Sequence, residues 1–260
     1  MNDVLFAFLL TLFAGLTTGI GGIIGLFARR NNRKFLSVCL SFSAGVMIYI
    51  SFVEIFNKAN DSLGYRYGDD NGFLFTTIAF FVGIASIALI DKLIPHNDEK
   101  AANNLEHDND RKGLNRTGLM TAVAIAIHNF PEGMVTFMAA MYDPALGVAV
   151  AIAIALHNIP EGIAVSAPIY YATGNKKKAL LLSFGSGLTE PLGALFAYIL
   201  LSNLFHEGLF GFIFAAVGGI MVFISVHNLL PVAHEYGDNH QVMKGLFAGM
   251  VIMALSLIFI

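Results

Sequence analysis

Apolar residues run along this chain in long blocks, separated by short polar stretches. Read by apolar run and breaker, the pattern predicts eight helices, over 4–28, 35–57, 73–94, 117–141, 145–171, 179–203, 208–235 and 241–260. Each is about 20 residues or more, enough to cross a hydrocarbon core of ~30 Å at ~1.5 Å per residue. The expected class is therefore an all-α membrane protein, one polytopic domain over 1–260. The first apolar run has no basic segment before it and continues to Ala28. That is too long for the apolar stretch of a signal peptide, so a retained first helix is expected. The connections are short except the third, 95–116, whose stretch PHNDEKAANNLEHDNDRKG holds His96 and His107 among several acids. It reads as a disordered polar linker.

Composition agrees with a bilayer setting. The chain is 56% hydrophobic and 13% charged, with mean hydropathy +0.69, against about 25% charged for a soluble domain. The single cysteine, Cys39, excludes an intrachain disulfide and a thiolate metal cage. Net charge matters less than its sorting. Thirteen of the 15 lysines and arginines fall in connections 1–2, 3–4, 5–6 and 7–8, while Lys58 and Arg66 fall on the other side. The richer side is predicted cytoplasmic, which puts both termini outside. With no soluble domain beyond the third connection, function is expected within the membrane, and no nucleic-acid partner is expected.

Polar residues at the centres of three spans change the picture. The fourth carries HNFPEG (128–133), the fifth HNIPEG (157–162), and the sixth has Glu190 within SGLTEPLG. An ionised carboxylate at a helix centre costs about 2.5–3.5 kcal/mol on insertion scales, so three cost on the order of 10 kcal/mol. No lysine or arginine lies at that depth in these spans. A bound cation, or protons, must compensate. Spacing favours the cation: His128 and Glu132 are i and i+4, on one helical face, and His157 and Glu161 repeat this. Two imidazoles and two carboxylates suit zinc, iron(II), manganese or cobalt, and the lack of thiolates argues against copper(I). Pro131, Pro160 and Pro191 leave the carbonyls of Ile127, Leu156 and Gly187 without their helical donors, which a polar cavity can serve. Gly133 and Gly162 permit close helix approach. Asn129 and Asn158 sit about 100° round from the histidines, placed to hold a second ion with Glu161 and Glu190.

Other polar residues are less pointed. The seventh span carries SVHNLLPVAHEYG, a partial echo, whose His227, His234 and Glu235 are candidate exit-path ligands. Glu54 reads as a solvated interfacial carboxylate able to attract cations. Asp91 with Lys92 reads as a boundary pair. An intramembrane metalloenzyme is the main alternative to a transporter. It is disfavoured because the chain lacks HExxH, where a general base stands between two ligands, and lacks the Glu-x-x-His spacing of di-iron bundles.

With its paired HN-x-PEG motifs, SGLTEPLG and LLPVAHEYG, the chain resembles the ZIP (Zrt-, Irt-like) metal transporters over essentially its whole length, most of all their bacterial ZupT branch. The resemblance implies a 3+2+3 arrangement with helices 1–3 and 6–8 as an inverted repeat, and a binuclear site. By motif, His128, Glu132, His157 and Glu161 would hold the first ion; Asn129, Asn158, Glu161 and Glu190 would hold the second. It further implies uptake of divalent metal into the cytoplasm by alternating access, a homodimer, and a bacterial inner (plasma) membrane. No cofactor is expected; zinc, iron, manganese, cobalt or cadmium would be cargo.

Overall fold

The computed structural model describes residues 3–27, 33–93, 106–142, 144–200 and 207–258, and among them the regular structure is all helical. Helix α1 is Asp3–Gly25. Helix α2 runs Arg33–Ile50, passes through a π turn at Ser51–Ile55 and continues as Phe56–Tyr67. Helices α3, α4 and α5 are Asp69–Leu93, Glu106–Tyr142 and Pro144–Thr173. Helix α6 is Lys176–Gly187 and, after Leu188, Thr189–Leu200. Helix α7 runs Glu207–Phe223, a π turn at Ile224–Leu229, then Leu230–Tyr236; α8 is Asn239–Ile258. Seven of these are long and apolar enough to cross a membrane. The eighth, α4, is longer still, but the polar residues of HNFPEG dilute its apolar centre. The chain is a multi-pass membrane protein.

Two boundaries differ from expectation. Helix α4 begins at Glu106, so residues 106–116 of the expected linker are helical; residues 94–105 lie outside the described residues. Helix α2 continues beyond 57 to Tyr67, past the apolar run, and stops at Gly68, whose φ of 85° suits glycine alone. Asp69 and Asp70 then occupy the first turn of α3, where acids favour the helix dipole. Between α5 and α6, Gly174 at φ 67° closes one helix and the Asn175 side chain caps the next by accepting from the Lys178 N–H. The proline-bearing centres of α4 and α5 remain continuous helix through Pro131 and Pro160, whereas α6 is interrupted beside Pro191.

The helices group in space against chain order. Helices α1, α4, α5 and α6 pack on one another, and α2, α3, α7 and α8 form a second group, joined to the first where α2 meets α5 and where α4 meets α7. Lipid tails are as apolar as leucine, so helices in a bilayer are held by close approach of small residues rather than by hydrophobic burial. Glycines mark those approaches, and they come in matched pairs. Gly21 and Gly162 bring α1 to α5, as Gly133 and Gly193 bring α4 to α6. Gly45 and Gly249 bring α2 to α8, as Gly83 and Gly219 bring α3 to α7.

A sequence repeat underlies this pairing. GVMIYIS (45–51) in α2 matches GIMVFIS (219–225) in α7. Each leads into a π turn closed by an i→i+5 bond, Phe56 N–H to the Ser51 carbonyl and Leu230 N–H to the Ser225 carbonyl. The pattern of apolar runs does not reveal either turn, because one extra residue per turn leaves an apolar block unbroken.

Candidate metal centre

Helices α4 and α5 place their motifs side by side at mid-length. His128, Glu132, His157 and Glu161 are all buried. The two imidazoles converge on one carboxylate oxygen: Glu132 Oε1 lies 3.0 Å from His128 Nε2 and 2.9 Å from His157 Nε2. The His157 contact has hydrogen-bond geometry. The ligand atoms of His128, Glu132 and His157 lie within 4.8 Å of one another. Glu161 stands at the edge of this group, its Oε1 3.5 Å from His128 Nε2.

Several of these atoms are buried with no hydrogen-bond partner in the protein: both His128 nitrogens, His157 Nδ1, Glu132 Oε2 and Glu161 Oε1. Leaving a buried polar atom unsatisfied costs about 1–3 kcal/mol, and more for a charged one. A stable helix bundle has no packing reason to gather so many. Two imidazole nitrogens and carboxylate oxygens around one point are the donor set of a borderline divalent ion.

Beside this cluster lies a second polar group. Glu190 is fully buried at the start of the second half of α6, and Glu190 Oε1 accepts from the Asn158 amide. That amide also donates to the Ala14 carbonyl at 3.0 Å, while Asn158 Oδ1 and Glu190 Oε2 have no partner. Oriented so that its polar atoms meet complementary partners, the Asn129 amide nitrogen donates to Ile125 O at 3.1 Å and to Glu161 Oε2 at 3.2 Å. Glu161 therefore adjoins both groups. A Cβ on Gly133 would strike the backbone of Glu190, so that glycine fixes α6, and Glu190 with it, against the first motif. The glycine of the second motif, Gly162, faces α1 instead, against Thr18 and Gly22.

A family model described as ZIP zinc transporter matches residues 2–91 and 92–257. The chain belongs to the ZIP zinc transporter family. Among curated relatives, the zinc transporter ZupT of Chlorobium chlorochromatii is 56% identical, over 99% of this chain and 98% of that protein. Those of Clostridium perfringens and Streptococcus mutans are each 52% identical, over 99% of this chain and 97% and 99% of theirs. Family membership makes this a transporter rather than an enzyme.

The remaining candidates in this ZIP chain lie apart from the cluster. His227 sits exposed in the π turn of α7, its Nε2 3.5 Å from Asp91 Oδ2 and its ring against Phe223. His234 is exposed, Nδ1 2.9 Å from the Leu230 carbonyl and Nε2 3.3 Å from Asn239 Oδ1; Glu235 is exposed beside it. None of the three joins the His128 group. Asp91 is partnered by Arg116 of α4, through its side chain at 3.2 Å and its carbonyl at 3.3 Å. A sequence neighbour such as Lys92 projects about 100° away on the helix, so the partner had to come from another element. The expectation for Glu54 is corrected too. Its side chain is 17% exposed and Oε2 is buried without a partner, so it is no freely solvated carboxylate.

Proposed function

We propose that this chain carries divalent metal, zinc foremost, across a bacterial inner membrane into the cytoplasm. Iron(II), manganese, cobalt and cadmium are expected to share the route, because two imidazoles, carboxylates and amides discriminate weakly along the divalent series. The observation that carries this is the buried convergence of His128, Glu132 and His157 on one point, with partnerless ligand atoms around it. That the similar ZupT proteins are zinc transporters supports zinc as cargo.

In this reading the first ion is held by His128, Glu132, His157 and Glu161. A second is held by Asn129, Asn158, Glu161 and Glu190, with Glu161 bridging. The position of Glu161 between the two polar groups supports that division. Both ions lie within the α1, α4, α5, α6 group, and the second group of helices contributes no ligand. Alternating access then follows from one group shifting against the other, the site opening first to one side and then to the other. The matched glycine pairs support an inverted repeat, which supplies two such arrangements of similar energy. Lysine and arginine sorting supports outward termini. Family resemblance is the support for a homodimer.

Uptake by purified protein in liposomes tests this, with zinc as tracer, the other metals as competitors and the pH gradient varied. Zinc accumulation that the other divalent ions inhibit is the expected result, and no metal-dependent uptake would overturn the reading. Imidazole and carboxylate ligands must lose protons to bind metal. Zinc binding is therefore expected to release protons, and affinity to fall as pH drops from about 7.5 to about 5.5, through the range where a free imidazole protonates. Calorimetry in buffers of different ionisation enthalpy measures both; an affinity flat across that range contradicts a His/Glu site.

A further inference from the structure

The two π turns are alike in backbone but differ in what they present. In the α2/α7 repeat, Glu54 takes the place of Asn228 and Lys58 that of Val232. Lys58 Nζ sits 2.6 Å from Glu54 Oε1, so α2 carries an ion pair where α7 carries none. The α7 turn forms without such a pair, so the fold of the π turn does not require it. Glu54 is also poorly placed for an ordinary surface pair. Its side chain is mostly buried while that of Lys58 is half exposed, and its second oxygen, Oε2, is buried with no partner. Finally, α2 borders the metal centre: its Ser43 hydroxyl donates to the Pro160 carbonyl of the second motif at 2.7 Å, and Glu54 lies about three turns further along the same helix. Glu54 thus lies on the helix that borders the metal centre, with an ammonium tethered to it from the next turn.

We propose that Glu54 and Lys58 form a charge-exchange gate at the entrance: the Lys58 ammonium occupies the Glu54 carboxylate until an incoming divalent cation displaces it, and the ion then passes from Glu54 to His157 and the inner ligands. This deepens the transport reading and rests on it. A divalent ion arriving at Oε2 repels the ammonium held at Oε1 and draws on the same carboxylate charge, which weakens the Lys58 pair. Lys58 is the weaker partner. It is long, flexible and half in solvent, so releasing it to water costs little. The unpartnered Oε2 gives the arriving ion a second oxygen. Lys58 then acts as a positioning residue that sets how much metal is needed to load the pore, and it touches none of the inner ligands.

The test is a double-mutant cycle on initial zinc uptake by proteoliposomes, using wild type, Lys58→Gln, Glu54→Gln and the double variant, with Lys58→Arg as the charge-conserving control. Lys58→Gln is expected to lower KM for zinc by up to about fivefold, the scale of one exposed ion pair, with kcat unchanged. Glu54→Gln raises KM, Lys58→Arg stays near wild type, and Lys58→Gln has no effect once Glu54 is gone. A helix-stabilising pair alone would instead lower the thermal midpoint in Lys58→Gln and leave KM unmoved. That outcome overturns the gate, as does an equal fall in KM in both Glu54 backgrounds, which marks a general surface-charge effect. If wild type takes up no zinc, the transport reading fails. The exchange at Glu54 is then still decided by the same cycle in calorimetric zinc affinity.

Discussion

Replacing His128 or Glu161 by alanine is expected to abolish zinc uptake in liposomes while the protein still inserts and keeps its helix content. Loss by more than about a hundredfold is anticipated, since altering even an outer partner of a metal ligand costs about 10–100-fold. The stability of these variants distinguishes a ligand from a packing residue. Both side chains are buried with atoms that lack partners, so the bundle bears an uncompensated desolvation cost around them. Truncation removes that cost along with the ligand. The metal-free protein should therefore hold its thermal midpoint or gain, and it should lose the stabilisation that zinc gives the wild type. Were these residues ordinary interhelical glue, the pattern would reverse: uptake would persist and the midpoint would fall. A thermal scan with and without zinc, beside the uptake assay, separates the two.

Gly133→Val is expected to disable the site from a position that offers no ligand. A Cβ there meets the carbonyl oxygen, carbon and Cα of Glu190, backbone atoms that cannot swing aside as a flexible side chain would. Overpacking of this kind costs about 1–3 kcal/mol. The cheapest relief is to move α6 outward, which draws Glu190 away from Asn158. Both the thermal midpoint and zinc uptake should drop. Gly185, in the first half of the same helix, is the control, because a Cβ there meets nothing within 4 Å. Gly185→Ala should be neutral or slightly stabilising, as alanine is favoured over glycine in a helix by about 1 kcal/mol. If Gly133→Val behaved like Gly185→Ala, the close α4–α6 contact described here would be wrong.

The metal-centre candidates were legible in the sequence because the bilayer makes polarity expensive. A histidine and a glutamate four residues apart must share a helical face, and mid-span carboxylates must find compensation at their own depth. Those two facts single out His128, Glu132, His157, Glu161 and Glu190 before any fold is known. The apolar runs likewise gave the helical class, since only helices satisfy their backbone within lipid without closing into a barrel. The π turns leave no mark in the sequence pattern, because hydropathy is blind to one extra residue in a turn. The burial of Glu54 is hidden for a related reason: distance from a span end gives depth in the membrane, not which neighbour covers a face.

What the sequence alone determined, then, is the set of costly groups and the faces on which they must lie, because both follow from local helix geometry and a solvent that tolerates no unpaired charge. What only the tertiary structure decided is who meets whom. Nothing in HNFPEG says that its glycine closes on α6 rather than α5, that Glu132 is the oxygen both imidazoles approach, or that Arg116 rather than Lys92 holds Asp91. Those are choices of helix neighbour and rotation. In a membrane they are set by small residues meeting at close range, and a single chain read by periodicity carries no record of its partners.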